Sequence, residues 1–304
     1  MDIVCSIDNN YVQYCSVMLV SFFENNPLKE RHTVHLLTEG LAEDNKCIFE
    51  NIVNSYDGSF CYYLVDSQLL TSFSIREEDH YTLAVYYRLL MAKLLPENLD
   101  KVLYLDCDII INDSISELWN VSLDGYALAA VEELGCSLPD VYERLGYDMK
   151  YGYFNAGVLL VNLRYWREHN LTQLFSDFVP RNIARIKSYD QDVLNTLLYD
   201  KCLHISCKWN VEEAFYHYSV MKRLKHKREL RSVLRHPKIL HYTWKPKPWE
   251  SLCKHPFRIN YFIYAQKIGV SSLGFRKYII ASLDKYIFCF LLWINLRGHR
   301  FYKL

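Results

Sequence analysis

Leu103-Tyr104-Leu105-Asp106-Cys107-Asp108-Ile109-Ile110-Ile111 sets two carboxylates one residue apart in a run that is otherwise apolar. A short continuous apolar run reads as a buried strand, and an ionised Asp inside one is costly unless something pairs with it. Side chains two apart on an extended segment share a face. Asp106 and Asp108 are therefore expected to point together into a crevice, an arrangement that suits a hard divalent cation with oxygen ligands. Cys107 is expected on the opposite side, as a packed thiol. In open α/β sheets ligands gather beyond the carboxyl ends of the strands, which is where this pair would stand. Asp-x-Asp alone is common in surface turns, and the flanking apolar runs are what give it weight.

The segments around that strand alternate. Strands are expected at Ile3–Ile7, Thr33–Thr38, Phe60–Val65 and Lys101–Leu105. A helix is expected from Tyr11 to about Glu24, where Tyr14, Met18 and Phe22 recur at helical spacing. Another follows Leu41, with Ala42, Ile48 and Ile52 as candidate core residues. A third, Leu83–Leu95, is stopped by Pro96. Leu128–Val131 and Val158–Val161 read as further strands, separated by a Gly- and Tyr-rich loop, and Asp190–Tyr199 as a helix. The polar, basic stretch Met221–Lys238 reads as a surface helix or loop. Strands alternating with helices imply an α/β fold, a mainly parallel sheet with helices on both faces.

Lys+Arg and Asp+Glu are balanced at 35 each, so no basic field points to nucleic acid. The chain opens directly on Met1-Asp2-Ile3-Val4, without a basic and apolar leader, so a cytoplasmic location is expected. Its ten cysteines are scattered singly with no C-x-x-C pair, the pattern of reduced, mostly buried thiols. The composition changes after residue 273. Tyr286-Ile287-Phe288-Cys289-Phe290-Leu291-Leu292-Trp293-Ile294 is almost wholly apolar, with Arg276, Lys277 and Lys285 before it and Arg297, Arg300 and Lys303 after. A bilayer span needs about 20 apolar residues, so this run is too short to cross. Basic charges at both ends fit a helix lying in a membrane interface, and the competing reading is a helix packed on the domain. Residues 1–273 are thus expected to form one domain and 274–304 a basic, aromatic tail.

Four further clusters carry chemistry. Asp8-Asn9-Asn10-Tyr11 ends the first strand and could read a pyrimidine edge or a ribose, or cap a helix. Arg88 suits bidentate contact with phosphate or carboxylate. Phe154-Asn155-Ala156-Gly157 offers small residues for close approach of a ligand and an amide for sugar hydroxyls, or is a plain turn. Asp190-Gln191-Asp192 opens a helix, where carboxylates also serve as caps. Finally, His241-Tyr242-Thr243-Trp244-Lys245-Pro246-Lys247-Pro248-Trp249 offers an imidazole for a metal and a lysine for a phosphate.

Taken in order, Asp8-x-Asn10, Arg88, Leu-Asp-x-Asp, Phe-Asn-Ala-Gly, Asp-Gln-Asp and His-Tyr-x-x-x-x-Lys-Pro-Trp resemble the family 8 glycosyltransferases, nearest the bacterial lipooligosaccharide galactosyltransferase and glucosyltransferase group. The resemblance runs from Met1 to about Trp249 and weakens beyond. It implies a GT-A fold, a Rossmann-like mixed sheet flanked by helices, and Mn²⁺-dependent (or Mg²⁺-dependent) retaining transfer of a hexose from a UDP-sugar to a saccharide or glycolipid acceptor. It implies metal ligation by Asp106, Asp108 and His241, and a uridine slot of Ser6, Ile7, Asp8 and Asn10. Arg88 would touch the donor, Asn155, Ala156, Asp190 and Gln191 the sugar, and Lys247 the diphosphate, with Cys107 and Trp244 completing the donor-binding set. Glu132 stands where the family carries a carboxylate on the sugar or acceptor side. Trp244 departs from the pattern, since relatives have a Gly there that lets the backbone approach the diphosphate.

Charge sets the expected mechanism. Breaking a sugar–phosphate bond builds positive charge on the anomeric carbon and negative charge on the leaving UDP, so a metal and Lys247 would stabilise departure. Double displacement needs a carboxylate nucleophile, and the matching position is Gln191, an amide. Front-face attack is therefore expected, with Asp190 as the alternative catalytic residue. Two other functions compete: a UDP-sugar-binding protein without activity, and a haloacid-dehalogenase-like phosphatase, which also ends a strand with Asp-x-Asp. The expected location is the cytoplasm, at the inner face of the membrane.

Overall fold

The computed structural model describes residues 1–27, 31–76, 82–135, 138–216, 227–270 and 275–294. Among them the chain forms, in order, β1 (Asp2–Ser6), β2 (Thr33–Thr38), β3 (Ser59–Leu64), β4 (Lys101–Leu105), β5 (Ile109–Ile111), β6 (Leu128–Ala130), β7 (Val158–Asn162), β8 (Cys202–His204), β9 (Val211–Glu212) and β10 (Ile239–His241). Two compact units result. Met1–Val12, Leu28–Cys107 and Ser116–Ile205 make one, and Gln13–Pro27, Asp108–Ile115 and Ser206–Leu304 make the other.

The first unit holds a seven-stranded sheet in the order β3-β2-β1-β4-β7-β6-β8. β1 runs parallel to β2 and β4, and β6 parallel to β8, while β7 is antiparallel to both neighbours. β1 and β4 are apolar because both are covered: Ile3, Val4, Cys5, Val102, Leu103, Tyr104 and Leu105 are all buried. Chain order reverses on either side of β1, so the crevice beyond the ends of β1 and β4 is the topological switch point where ligands bind.

The second unit holds a three-stranded sheet, β5-β10-β9, with β10 antiparallel to β5 and parallel to β9. Helix Val12–Asn25, all but its first residue, is tied to β5. The Ser21 hydroxyl accepts the Ile111 N–H at 3.0 Å, and the Asn25 amide donates to the Ile111 carbonyl at 3.0 Å and to the Tyr264 hydroxyl at 2.7 Å. The apolar C-terminal run lies in the helix Phe275–Trp293. Phe288 is buried against Tyr216 and Phe257, and Lys285 donates to Asn260 Oδ1 at 2.9 Å. No described helix is long and apolar enough to cross a membrane.

Several local expectations need correction. Helix Glu43–Ser55 buries Phe49 and Val53 and leaves Ala42 and Ile48 exposed. The larger Phe49 ring claims the core, and this rotates the helix away from Ile48. The segment expected as helix Leu83–Leu95 is a 3-10 helix over Leu83–Leu90 and α-helical only over Met91–Leu94. The Gly- and Tyr-rich loop contains the short helix Pro139–Leu145. Asp106 and Asp108 do not sit on a strand face: β4 ends at Leu105, β5 begins at Ile109, and the two carboxylates occupy the turn between strands of different sheets. Residues 221–226, part of the basic stretch, and Arg297, Arg300 and Lys303 lie outside the described residues.

Candidate active site

In the first unit the site grows from the ends of β4 and β7. β7 runs antiparallel to β4 with Val158 opposite Leu105, so the Asn155-Ala156-Gly157 turn is delivered beside Asp106. The Asp106 N–H donates to the Gly157 carbonyl at 2.8 Å. Arg88 is buried in the last turn of its 3-10 helix and meets two carboxylates and a carbonyl. It donates to Asp106 Oδ1 at 2.8 Å and to the Ala156 carbonyl at 2.6 Å, and its Nε pairs with Asp190 Oδ2 at 3.0 Å. The guanidinium carbon lies 4.3 Å from the centre of the Tyr104 ring, whose hydroxyl donates to Asp106 Oδ1 at 3.0 Å. One cation thus serves two carboxylates. Burial pushes the Asp190 carboxyl up to about 7 against the pull of Arg88, and the Asp106 charge adds to the rise.

Asp190 and Gln191 are presented by helix Tyr189–Leu198. Tyr189 enters it at φ +41°, a left-handed conformation uncommon for a bulky residue. The turn is over-determined from beneath. Fully buried Asp192 accepts the Lys187 and Ser188 N–H groups at 2.6 and 2.9 Å, the Tyr153 hydroxyl at 2.8 Å and Arg144 at 2.6 Å. A strained residue held this firmly at a cleft is the pattern of a positioned site. Gln191 Oε1 accepts the Ala156 N–H at 2.9 Å, and its amide nitrogen donates to the Glu133 carboxylate. Asn195 clamps the other side of the turn, accepting the Phe154 N–H and donating to the Phe154 carbonyl, each at 2.8 Å.

The carboxylate beside the sugar-binding candidates is therefore Glu133, which is buried and lies 3.5 Å from the Asn155 amide. Glu132 is exposed, and its backbone bridges to that of Phe154. Side-chain alternation along the segment sends neighbours to opposite sides, so Glu132 and Glu133 have different surroundings. Asp8 caps the 3-10 turn Asn9–Tyr11, accepting the Asn10 N–H at 2.9 Å. Ile7 is buried and Asn10 exposed, and the Cys107 thiol packs 3.8 Å from the Ser6 carbonyl.

The second unit carries the other half of the motifs. Asp108 Oδ1 lies 3.1 Å from His241 Nε2 and Oδ2 lies 2.6 Å from Lys247 Nζ. The register that sets Ile109 opposite His241 brings the imidazole to the start of β5, and the Tyr242 N–H donates to the Asp108 carbonyl at 3.0 Å. Burial alone would raise the Asp108 carboxyl, but Lys247 and His241 together hold it far below the usual carboxylate range. Lys247 also donates to the Tyr242 carbonyl and, at 3.0 Å, to that of Thr243. Trp244 is half-buried on the same loop, and Trp249 stacks on Tyr14 with ring centres 3.8 Å apart. Asn210 contacts the far side of His241 at 2.9 Å. Neither Asn210 nor Glu133 belongs to a motif, and only the pairing of strands reveals them.

Known proteins share this architecture. General stress protein A of Bacillus subtilis is 28% identical over 286 residues, which is 90% of this chain and 96% of that protein. The lipopolysaccharide 1,3-galactosyltransferase of Salmonella typhimurium is 29% identical over 270 residues, 87% of this chain and 77% of that protein. The crystal structure of the galactosyltransferase LgtC in complex with donor and acceptor sugar analogues matches with a TM-score of 0.78 at 26% identity, covering 91% of this chain and 98% of that one. The sheet and its flanking helices are accordingly those of the GT-A fold, and the phosphatase alternative falls. The model described as Glycosyl transferase family 8 matches residues 2–253, and the chain belongs to that family.

Proposed function

We propose that this glycosyltransferase moves glucose or galactose, with retention of configuration, from a UDP-sugar to a saccharide acceptor on a lipid-linked or cell-envelope glycan, and that it requires Mn²⁺, with Mg²⁺ as the alternative ion. The observation that carries the reading is the convergence of His241 and Lys247 on Asp108. Carboxylate oxygens with one imidazole nitrogen form a donor set that fits a divalent ion of this type. Among the described residues, Asp106, Asp108 and His241 form a group with the composition to hold such an ion. The ion, when bound, neutralises the diphosphate as it leaves.

The remaining roles belong to the chain's own side chains. Ser6, Ile7, Asp8 and Asn10 hold the uridine. Asn155, Ala156, Asp190 and Gln191 hold the sugar, and Glu133 takes the place expected for Glu132. Arg88, which donates to Asp106 and the Ala156 carbonyl and pairs with Asp190, orients those groups beside the donor. Lys247 leaves Asp108 for the diphosphate. Gln191 is a poor nucleophile, and its amide oxygen already accepts the Ala156 N–H. The acceptor hydroxyl therefore attacks from the side that UDP leaves, and the departing phosphate oxygen takes its proton.

Residues 1–273 act as the transferase domain, and the segment from 274 attaches it to the cytoplasmic face of the membrane. Support comes from the exposed row Ile279, Ile280, Leu283, Tyr286, Ile287 and Phe290, whose spacing lines one side of the helix. Incubating the protein with UDP-glucose or UDP-galactose, Mn²⁺ and an oligosaccharide, then reading the anomeric coupling of the product by NMR, tests the reaction. An α-linked product from the α-linked donor supports retention. An inverted product refutes it, and binding of UDP without its release from either sugar would favour a binding protein without activity.

A further inference from the structure

The Gly- and Tyr-rich stretch between β6 and β7 places a cation beneath the candidate site. Helix Pro139–Leu145 carries Arg144 in its last turn and ends on Gly146, left-handed at φ +82°. The Arg144 guanidinium forks. One nitrogen lies 2.6 Å from Asp192 Oδ2 and also donates to the Arg185 carbonyl, and the other lies 3.4 Å from Asp192 Oδ1. Arg185 returns the bond, its Nε donating to the Arg144 carbonyl at 2.7 Å. A side chain at Gly146 would crowd that exchange, since a Cβ there would stand 2.7 Å from an Arg185 guanidinium nitrogen. Residues 185 and 192 are thus tied to one side chain, and the segment between them carries Asp190 and Gln191.

Asp192 is fully buried, and burying a charge is costly unless it is paired. The Lys187 and Ser188 N–H groups and the Arg144 guanidinium beside it can only donate, which is the company a charged carboxylate takes. The two backbone bonds reach back from the first helical turn to the residues just before it, as a capping carboxylate does. The carboxylate therefore sets the path of the chain through Tyr189. Without Arg144 it keeps neutral donors alone among the described residues. A buried charge that loses its partner is strongly destabilising, and the chain relaxes where its bonds to that charge are made, at Lys187 and Ser188.

We propose that Arg144 is a positioning residue, one that acts through Asp192 to fix the turn 187–189 and so sets Asp190 and Gln191 at the sugar of the donor. This rests on the sugar-binding role given to Asp190 and Gln191 above. A displacement of about 1 Å in such groups costs on the order of 100-fold in rate.

Arg144→Met keeps most of the side chain's length and removes its charge. Hexose transfer by the folded variant should show kcat lowered about 100-fold, while its affinity for UDP, which has no sugar to be positioned, stays at the wild-type value. Arg144→Lys keeps a charge for Asp192 and should recover most of the loss. The Lys187 and Ser188 amides, followed by hydrogen exchange, should be protected in the wild type and exchange faster in Arg144→Met. A wild-type kcat in folded Arg144→Met overturns the proposal. So does a loss of UDP affinity that matches the loss of kcat, which would make the residue a support of the whole fold, and so does a loss that Arg144→Lys leaves unrelieved. If the Met variant does not fold, unprotected Lys187 and Ser188 amides in the wild type, or a wild-type kcat in Arg144→Gln, overturn it instead. If wild-type protein transfers hexose from neither UDP-glucose nor UDP-galactose, the reading of the function fails, and the exchange of those two amides still decides whether Arg144 holds the turn.

Discussion

Asp108 is half-buried and Asp190 buried, and their partners send the two carboxylates in opposite directions. Asp108 lies beside an ammonium and an imidazole that hold its carboxyl low, whereas Asp190 shares one guanidinium with Asp106. Asp108→Asn keeps the shape and removes the charge that gathers His241 and Lys247. Transfer should fall by about 100-fold or more, and turnover near wild type at saturating Mn²⁺ would remove Asp108 from the ligand set. Asp190 makes a pH prediction. Its folded value of about 7 stands above the unfolded value of about 3.9, so between these the folded chain keeps a proton that the unfolded chain has lost. The stability tied to this group is full below about pH 4 and is lost as pH rises to about 7. Melting temperatures of wild type and Asp190→Asn should therefore diverge across that window, the wild type losing ground as pH rises, and parallel curves would contradict the assignment.

At the scale of elements, the helix Glu43–Ser55 offers a test of register. Phe49→Ala should cost about 3–5 kcal/mol in chemical denaturation, while Ile48→Ala should stay within about 0.5 kcal/mol; the reverse order would mean that the other face is buried. The same helix shows where reading the sequence stops. Period alone could not choose between the Ile48 and Phe49 faces, because both recur at helical spacing and only the neighbouring sheet decides which is covered. Strands β1, β2 and β4 were legible because each is a short apolar run between polar turns. That β7 runs against its neighbours was not legible, yet it is this reversal that brings Asn155 and Ala156 to Asp106. Asp106 and Asp108 could be read because paired carboxylates are unusual in an apolar setting, whereas Gln191 and His241 gained their roles only from the order of motifs that resembles family 8. Glu133 and Asn210 could not be read, since one differs from Glu132 only by the side of the chain it faces and the other lies 31 residues from the histidine it touches.

For the molecule as a whole, the C-terminal helix answers to two demands. Phe288 is buried against Tyr216 and Phe257, so removing everything after Leu273 should destabilise the second unit whether or not the helix meets lipid. The cleaner separation uses the outer row: Tyr286→Glu combined with Ile287→Glu should abolish sedimentation with anionic vesicles at low salt while leaving UDP-sugar hydrolysis in solution unchanged. Wild-type protein that does not sediment with such vesicles would contradict membrane attachment. The central claim is that a metal gathered at Asp108 drives UDP from its sugar, and it is tested most directly by UDP release from UDP-glucose and UDP-galactose with Mn²⁺ and after chelation. The account expects release from at least one donor with Mn²⁺, lost on chelation, restored on returning the ion, and absent in Asp108→Asn; release that survives chelation, or equal release by Asp108→Asn, would contradict it.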